Sequence, residues 1–219
     1  MPLPPPAARR PAHTRTTAFR GYQRDDGLWD IEAEMQDTKP FAFALNNGRE
    51  LAPNEAIHHM HIRVTVDEQL VVRDIATVMG SFPHGQCAEA DRHMRRMIGS
   101  TMGKGWRKSI DRHLGGVEGC THMRELLYNM ATAAFQTIAP QVLARWHGAD
   151  AGAQTLPPPP HLGACMTWDF NGPAVEQIYP MYFEWPLRQD NTAAPGTPPS
   201  GRHQAPAEST PAVAVPEAD

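Results

Sequence analysis

Cys120 and His122 stand two residues apart in Gly119-Cys120-Thr121-His122, just ahead of a long stretch of helical apolar spacing. A thiol and an imidazole so placed have three uses. They can hold a metal ion, because thiolate and neutral imidazole are the donors zinc prefers. They can act as a nucleophile and its base, with His122 or His113 taking the proton from Cys120. Or the thiol is a small buried residue and the histidine a polar cap. Cys87 has the same local setting, following the Gly-containing run Pro83-His84-Gly85 and preceding a helical pattern. At a helix start, backbone N–H groups and the helix dipole favour thiolate. Two such cysteines, with His84 and His122 nearby, make a metal signal, although no Cys-x-x-Cys pair is present and the ligands would come from separate elements.

His58-His59-Met60-His61 adds three imidazoles at the start of a strand pattern. Strand alternation puts His59 and His61 on one face and His58 on the other with Met60 and Ile62, which is the core side of a half-buried sheet. His58 is therefore the inward histidine, and an inward histidine is either a hydrogen-bonded core residue or a ligand. The chain lacks the nucleophile elbow, the phosphate-cradling Gly-x-x-x-x-Gly-Lys and the dinucleotide fingerprint. The run Gly99-Ser100-Thr101-Met102-Gly103-Lys104-Gly105 joins two helical patterns without the strand that a phosphate loop requires.

The elements that must position these residues are legible from periodicity. Residues 14–22 and 28–35 are β-prone runs around the turn Arg24-Asp25-Asp26-Gly27, the signature of an antiparallel hairpin. Alternation sends Trp29, Ile31 and Met35 to one face and Asp30, Glu32 and Glu34 to the other, the latter read as a solvated strand face. Residues 37–55 are polar and irregular, a long loop. A second hairpin spans 61–66 and 70–79. Helical spacing then marks 87–98 (Ala90, Met94, Met97, Ile98), 104–114 (Trp106, Ile110, Leu114), and a last helix from Thr121 as N-cap, burying Met123, Leu126, Leu127, Met130, Ala134 and Ile138 and ending near Pro140.

The 22 prolines cluster at both ends and at Pro157 to Pro160. This divides the chain into a disordered arm (1–12), a core domain (13–147), a Pro-rich linker (148–160), a short hairpin around Asn171-Gly172 docked on the core (161–186) and a disordered tail (187–219). The net charge of −4 leaves no basic footprint for nucleic acid. No apolar run approaches the roughly 20 residues of a membrane span, and the first residues lack the apolar centre of a signal peptide. Three cysteines are too few for a disulfide framework. These features predict a cytoplasmic protein with reduced thiols.

Asp25-Asp26-Gly27-Leu28-Trp29-Asp30-Ile31-Glu32, Ile57-His58-His59-Met60-His61-Ile62-Arg63, Pro83 through Cys87, Gly105-Trp106 and Gly119-Cys120-Thr121-His122 together resemble a bacterial family of unknown function, over residues 14–180. More distantly, the order of elements is similar to iron–sulfur scaffold proteins of the nitrogen-fixation U type. Aligned on the second hairpin, His58 falls at the scaffold's Asp, Cys87 at its second Cys and Cys120 near its third, while Ala56 replaces its first Cys. That resemblance implies a four-ligand site of His58, Cys87, Cys120 and His122, suited to a zinc ion first and an iron–sulfur cluster second. The expected fold is α+β, with an antiparallel sheet of two hairpins packed on about three helices. The expected function is metal binding. A thiol enzyme or hydrolase with Cys120 and His122, or an accessory protein that holds a partner through its acidic strand and tails, remains open beside it.

Overall fold

A computed structural model describes residues 3–148 and 158–185. The chain divides into two compact units, 1–151 and 152–219. The first is built on a four-stranded antiparallel sheet, in the order β1 (Thr14–Gln23), β2 (Trp29–Thr38), β5 (Ala56–Val66), β6 (Val72–Ser81). Both expected hairpins are present, and β2 pairs β5 at the centre. The connection from β2 to β5 is not wholly irregular. It folds into a two-stranded ribbon of β3 (Phe43–Ala44) and β4 (Glu50–Leu51), anchored by fully buried Leu51.

Period-two alternation decides which side of the sheet is covered. On β2, Trp29, Ile31, Ala33 and Met35 are buried, and on β5, Met60, Ile62, Val64 and Val66. These rows face α2 (Trp106–Leu114) and α3 (Thr121–Gly148) in one apolar core. Trp106, Ile110 and Leu114 contribute the α2 stripe, and Met123, Leu126, Leu127, Met130, Ala134 and Ile138 the α3 stripe, as their spacing requires. The Trp106 indole N–H donates to the Leu127 carbonyl at 2.7 Å, tying the two helices together within the core. Among the described residues, no helix is long and apolar enough to cross a membrane.

Two expectations for the helices need correction. Residues 85–97 do not form one helix. A 3-10 helix (Gly85–Ala90), a single α-turn α1 (Asp91–Met94) and a second 3-10 helix (Arg95–Met97) follow one another. In 3-10 winding, residues three apart eclipse, so Met94 and Met97 both bury while Ile98 turns out. The last helix also passes Pro140 and continues to Gly148. A proline removes one backbone hydrogen bond from a helix, which bends the element more readily than it ends a long one.

The second unit has no strand among its described residues. Residues expected as a hairpin form a 3-10 helix (Met166–Trp168), the short α4 (Pro173–Ile178) and another 3-10 helix (Pro180–Tyr182). Pro173 explains the difference: after Asn171-Gly172 it occupies the first turn of α4, where its fixed φ and missing N–H suit a helix start. Leu162, Phe170, Val175 and Tyr179 form a small core flanked by Trp168, Tyr182 and Trp185. In the expected arm, residues 3–12 are exposed and without regular structure. Most of the expected linker, and the tail from residue 187, lie outside the described residues.

Candidate metal centre

The row of inward residues on β2 does not end with Met35. The next position of the same parity is Asp37, only 2% exposed, and the sheet register places it opposite His58 on β5. A carboxylate at a core position must be compensated, and four bonds do this. Arg15 donates through Nε to Oδ1 and through Nη2 to Oδ2, both at 2.8 Å. His13 Nε2 donates to Oδ1 at 3.0 Å, and His58 Nδ1 to Oδ2 at 3.0 Å. The remaining Arg15 nitrogen, Nη1, reaches Glu125 on α3 at 2.6 Å, linking β1 across the cluster to the helix. Burial pushes the Asp37 carboxyl up, but the hydrogen bonds and charge of Arg15, with help from His58 and His13, outweigh it and hold the group at about 2. His58 moves down from its ordinary value, because burial outweighs the attraction of Asp37. It is therefore neutral at neutral pH. With Nδ1–H donated to the carboxylate, Nε2 keeps the free lone pair, as in the carboxylate–histidine pairs that stand behind metal ions and catalytic bases.

His122 completes the cluster from the start of α3. Its ring lies 4.0 Å, centroid to centroid, from that of His58. Asp37, His58 and His122 each offer one ligand atom, all within 4.8 Å of one another. The residue that caps α3 is Cys120, one position earlier than expected: its carbonyl accepts the Arg124 N–H at 3.0 Å. Its sulfur takes the side-chain role of an N-cap. Burial pushes the thiol up, but the contact with His122 Nδ1 at 3.8 Å and the backbone N–H groups of Met123 and His122 bring it below its ordinary value.

Of the four residues expected as ligands, the structure brings His58 and His122 together and leaves the thiols aside. Among the described residues, neither Cys87 nor Cys120 belongs to a group of three or more donors within 4.8 Å of one another, although Cys120 lies 3.8 Å from His122 Nδ1. The scaffold comparison implied His58, Cys87, Cys120 and His122 in one group of donors, and the groups of three or more found among the described residues do not include the thiols. Cys87 sits inside the six-residue 3-10 helix, too short to supply the dipole expected of it. It lines, with Cys120, His122, His93 and Glu118, an open cleft of about 530 Å³ beside the histidine cluster. The ring of His113, the other base considered, is in no such cluster.

The residue that the sequence reading passed over is Asp37, placed at the start of a loop. The signal was available. Positions 29, 31, 33, 35 and 37 share one parity, and a carboxylate on an otherwise apolar row has to be partnered. The hairpin register then pairs Arg15 with Asp37, and His13 precedes the strand by one residue.

No curated protein and no solved structure matches the chain. A family match does cover the sheet, α2, and α3 as far as residue 136, and so takes in every residue of this cluster. It stops short of the second unit, to which the motif resemblance had extended. Residues 13–136 match the family Protein of unknown function (DUF2889), and the chain belongs to that family.

Proposed function

We propose that the protein is a metal-binding domain with its centre at Asp37, His58 and His122. The observation that carries this reading is the convergence of these three side chains from β2, β5 and α3 at one end of the core. Two imidazoles and an ionised carboxylate are nitrogen and oxygen donors, which suit zinc. An iron–sulfur cluster is held by thiolates, which this donor set lacks, so zinc is the ion favoured. Asp37 accepts a hydrogen bond from His58 Nδ1, so it becomes a ligand when the ion takes the place of that proton, while Arg15 and His13 continue to hold the carboxylate.

Metal analysis of protein purified without an affinity tag tests the reading. Native protein should carry about one equivalent of zinc at this centre, and the double variant His58→Ala/His122→Ala should lose it. Cys120→Ala should retain it, because no thiol is among the donors. A metal content near zero in native protein, restored by no added zinc, defeats the proposal.

One observation favours a second reading. Cys120 is a lowered-pKa thiol at the start of a long helix, 3.8 Å from a histidine nitrogen and facing an open cleft. That is the setting of a nucleophilic cysteine. A thiol enzyme would lose its activity in Cys120→Ala, whereas a metal centre would not lose its ion.

A further inference from the structure

On the face of the sheet opposite the helices, a second group of donors converges. Glu34 of β2 lies opposite His61 of β5 in the register, and His59 is two residues back on the same face. His59 Nε2 is 3.0 Å from Glu34 Oε1 and 3.0 Å from His61 Nε2, and His61 Nε2 is 3.8 Å from the same carboxylate oxygen. One proton cannot serve both contacts of His59. If its Nε2–H donates to Glu34, nothing is left for a full bond to His61. If His61 donates to His59 instead, two lone pairs face each other across the Glu34 contact. A cation among the three atoms satisfies all of them. The separations bracket the edge of a tetrahedral zinc site, where donors at bond lengths of 2.0–2.1 Å stand about 3.3 Å apart.

We propose that Glu34, His59 and His61 form a second divalent-metal site, of the zinc class, on the open face of the sheet. It is separate from the Asp37 centre, since the two groups project from opposite sides of the same strands. Its donors are prepared for an ion. Arg20 Nη1 reaches the other Glu34 carboxylate oxygen at 3.3 Å and orients it. The side chains are 32%, 34% and 43% exposed for His59, Glu34 and His61, and Glu34 and His61 line a groove of about 410 Å³ with Arg20 and Arg63. An ion can therefore enter from solvent and keep an open coordination position, as catalytic and exchangeable zinc sites do.

Zinc titration of untagged, metal-stripped protein against a chromophoric chelator tests the site. Native protein should bind one equivalent more than the double variant His59→Ala/His61→Ala. Because removing a partner that only orients a ligand costs about 10–100-fold in affinity, Arg20→Ala should weaken this equivalent by about 10-fold, and Glu34→Gln, which removes a donor, should weaken it further. The His58→Ala/His122→Ala variant should keep the open-face equivalent, which separates this proposal from the one above. Glu34→Gln preserves shape at a part-exposed position, so it reports on the site even if the double variant fails to fold. Equal zinc stoichiometry and affinity in native protein and Glu34→Gln overturns the proposal, and so does a native protein that takes up no zinc sensitive to His59 and His61.

Discussion

At the scale of single residues, the sharpest contrast is between Cys120 and Cys165. Cys165 is exposed and Cys120 only partly so, and accessibility alone would have Cys165 react first. The thiolate is the reactive form, however, and Cys120 has its thiol lowered by His122 and the N–H groups at the start of α3. Intrinsic nucleophilicity falls with pKa, but only with a Brønsted slope of about 0.4–0.5, so the gain in thiolate wins. Iodoacetamide at pH 7 should label Cys120 faster than Cys165, read by mass spectrometry of time points, and His122→Ala should narrow the gap. Added zinc should not protect Cys120, because the thiol is not among the donors. Faster labelling of Cys165, or protection of Cys120 by zinc, would return the thiol to the ordinary or the ligand role. How much of this was legible depends on the kind of signal. That Cys120 and His122 stand at a helix start, and that His58 points inward, follows from periodicity. That the sulfur caps the helix while the imidazole turns to His58 and Asp37 is decided by tertiary contacts, which spacing does not encode.

At the scale of elements, the structure turns on how closely α3 lies against the sheet, and Gly21 of β1 sets that approach. A Cβ at this position would overlap the Thr137 side chain, including its Cβ. Thr137 cannot easily swing away, because its hydroxyl donates to the Ala133 carbonyl at 2.8 Å. Gly21→Ala should therefore push α3 off β1 and cost about 1–3 kcal/mol, the usual penalty of overpacking, measured as a lower urea midpoint at unchanged m-value. No loss of stability would mean that helix and strand part freely here. The strands were readable because two rows of alternating residues on each hairpin leave one consistent assignment. The regions misread were those where local pattern underdetermines geometry. Residues 85–97 have spacing that serves a 3-10 winding as well as an α-helix, and Asn171-Gly172 begins a hairpin or, followed by Pro173, a helix.

At the scale of the whole molecule, Asp37 joins elements that are far apart in the sequence. Its partners are His13 before β1, Arg15 on β1 and His58 on β5, and through Arg15 it reaches Glu125 on α3. The charge state of one carboxyl therefore bears on the stability of the entire unit. Its pKa falls from 3.8 to about 2 on folding, so between those values the unfolded chain binds more protons than the folded one, and stability rises with pH. The contribution, about 2 kcal/mol from 1.36 kcal/mol per pKa unit, is fully present above pH 4 and is lost as pH falls toward 2. His58 acts in the same direction at higher pH. Its folded pKa lies below the ordinary 6.5, so acidification through that region protonates the unfolded chain first and also erodes stability. Urea unfolding at pH 7, 5, 4, 3 and 2 should show a continuous decline. Asp37→Asn should start lower at pH 7 and lose most of its slope between pH 4 and 2, because the titrating group is gone. A variant that kept the native slope there would show that other carboxylates govern acid unfolding. Asp67, which accepts from the backbone N–H groups of Gln69 and Val71 and pairs with Arg73, is the carboxylate that would share that role, whereas Arg24 with Asp26 and Arg95 with Asp74 are solvent-exposed pairs of the kind that contributes little.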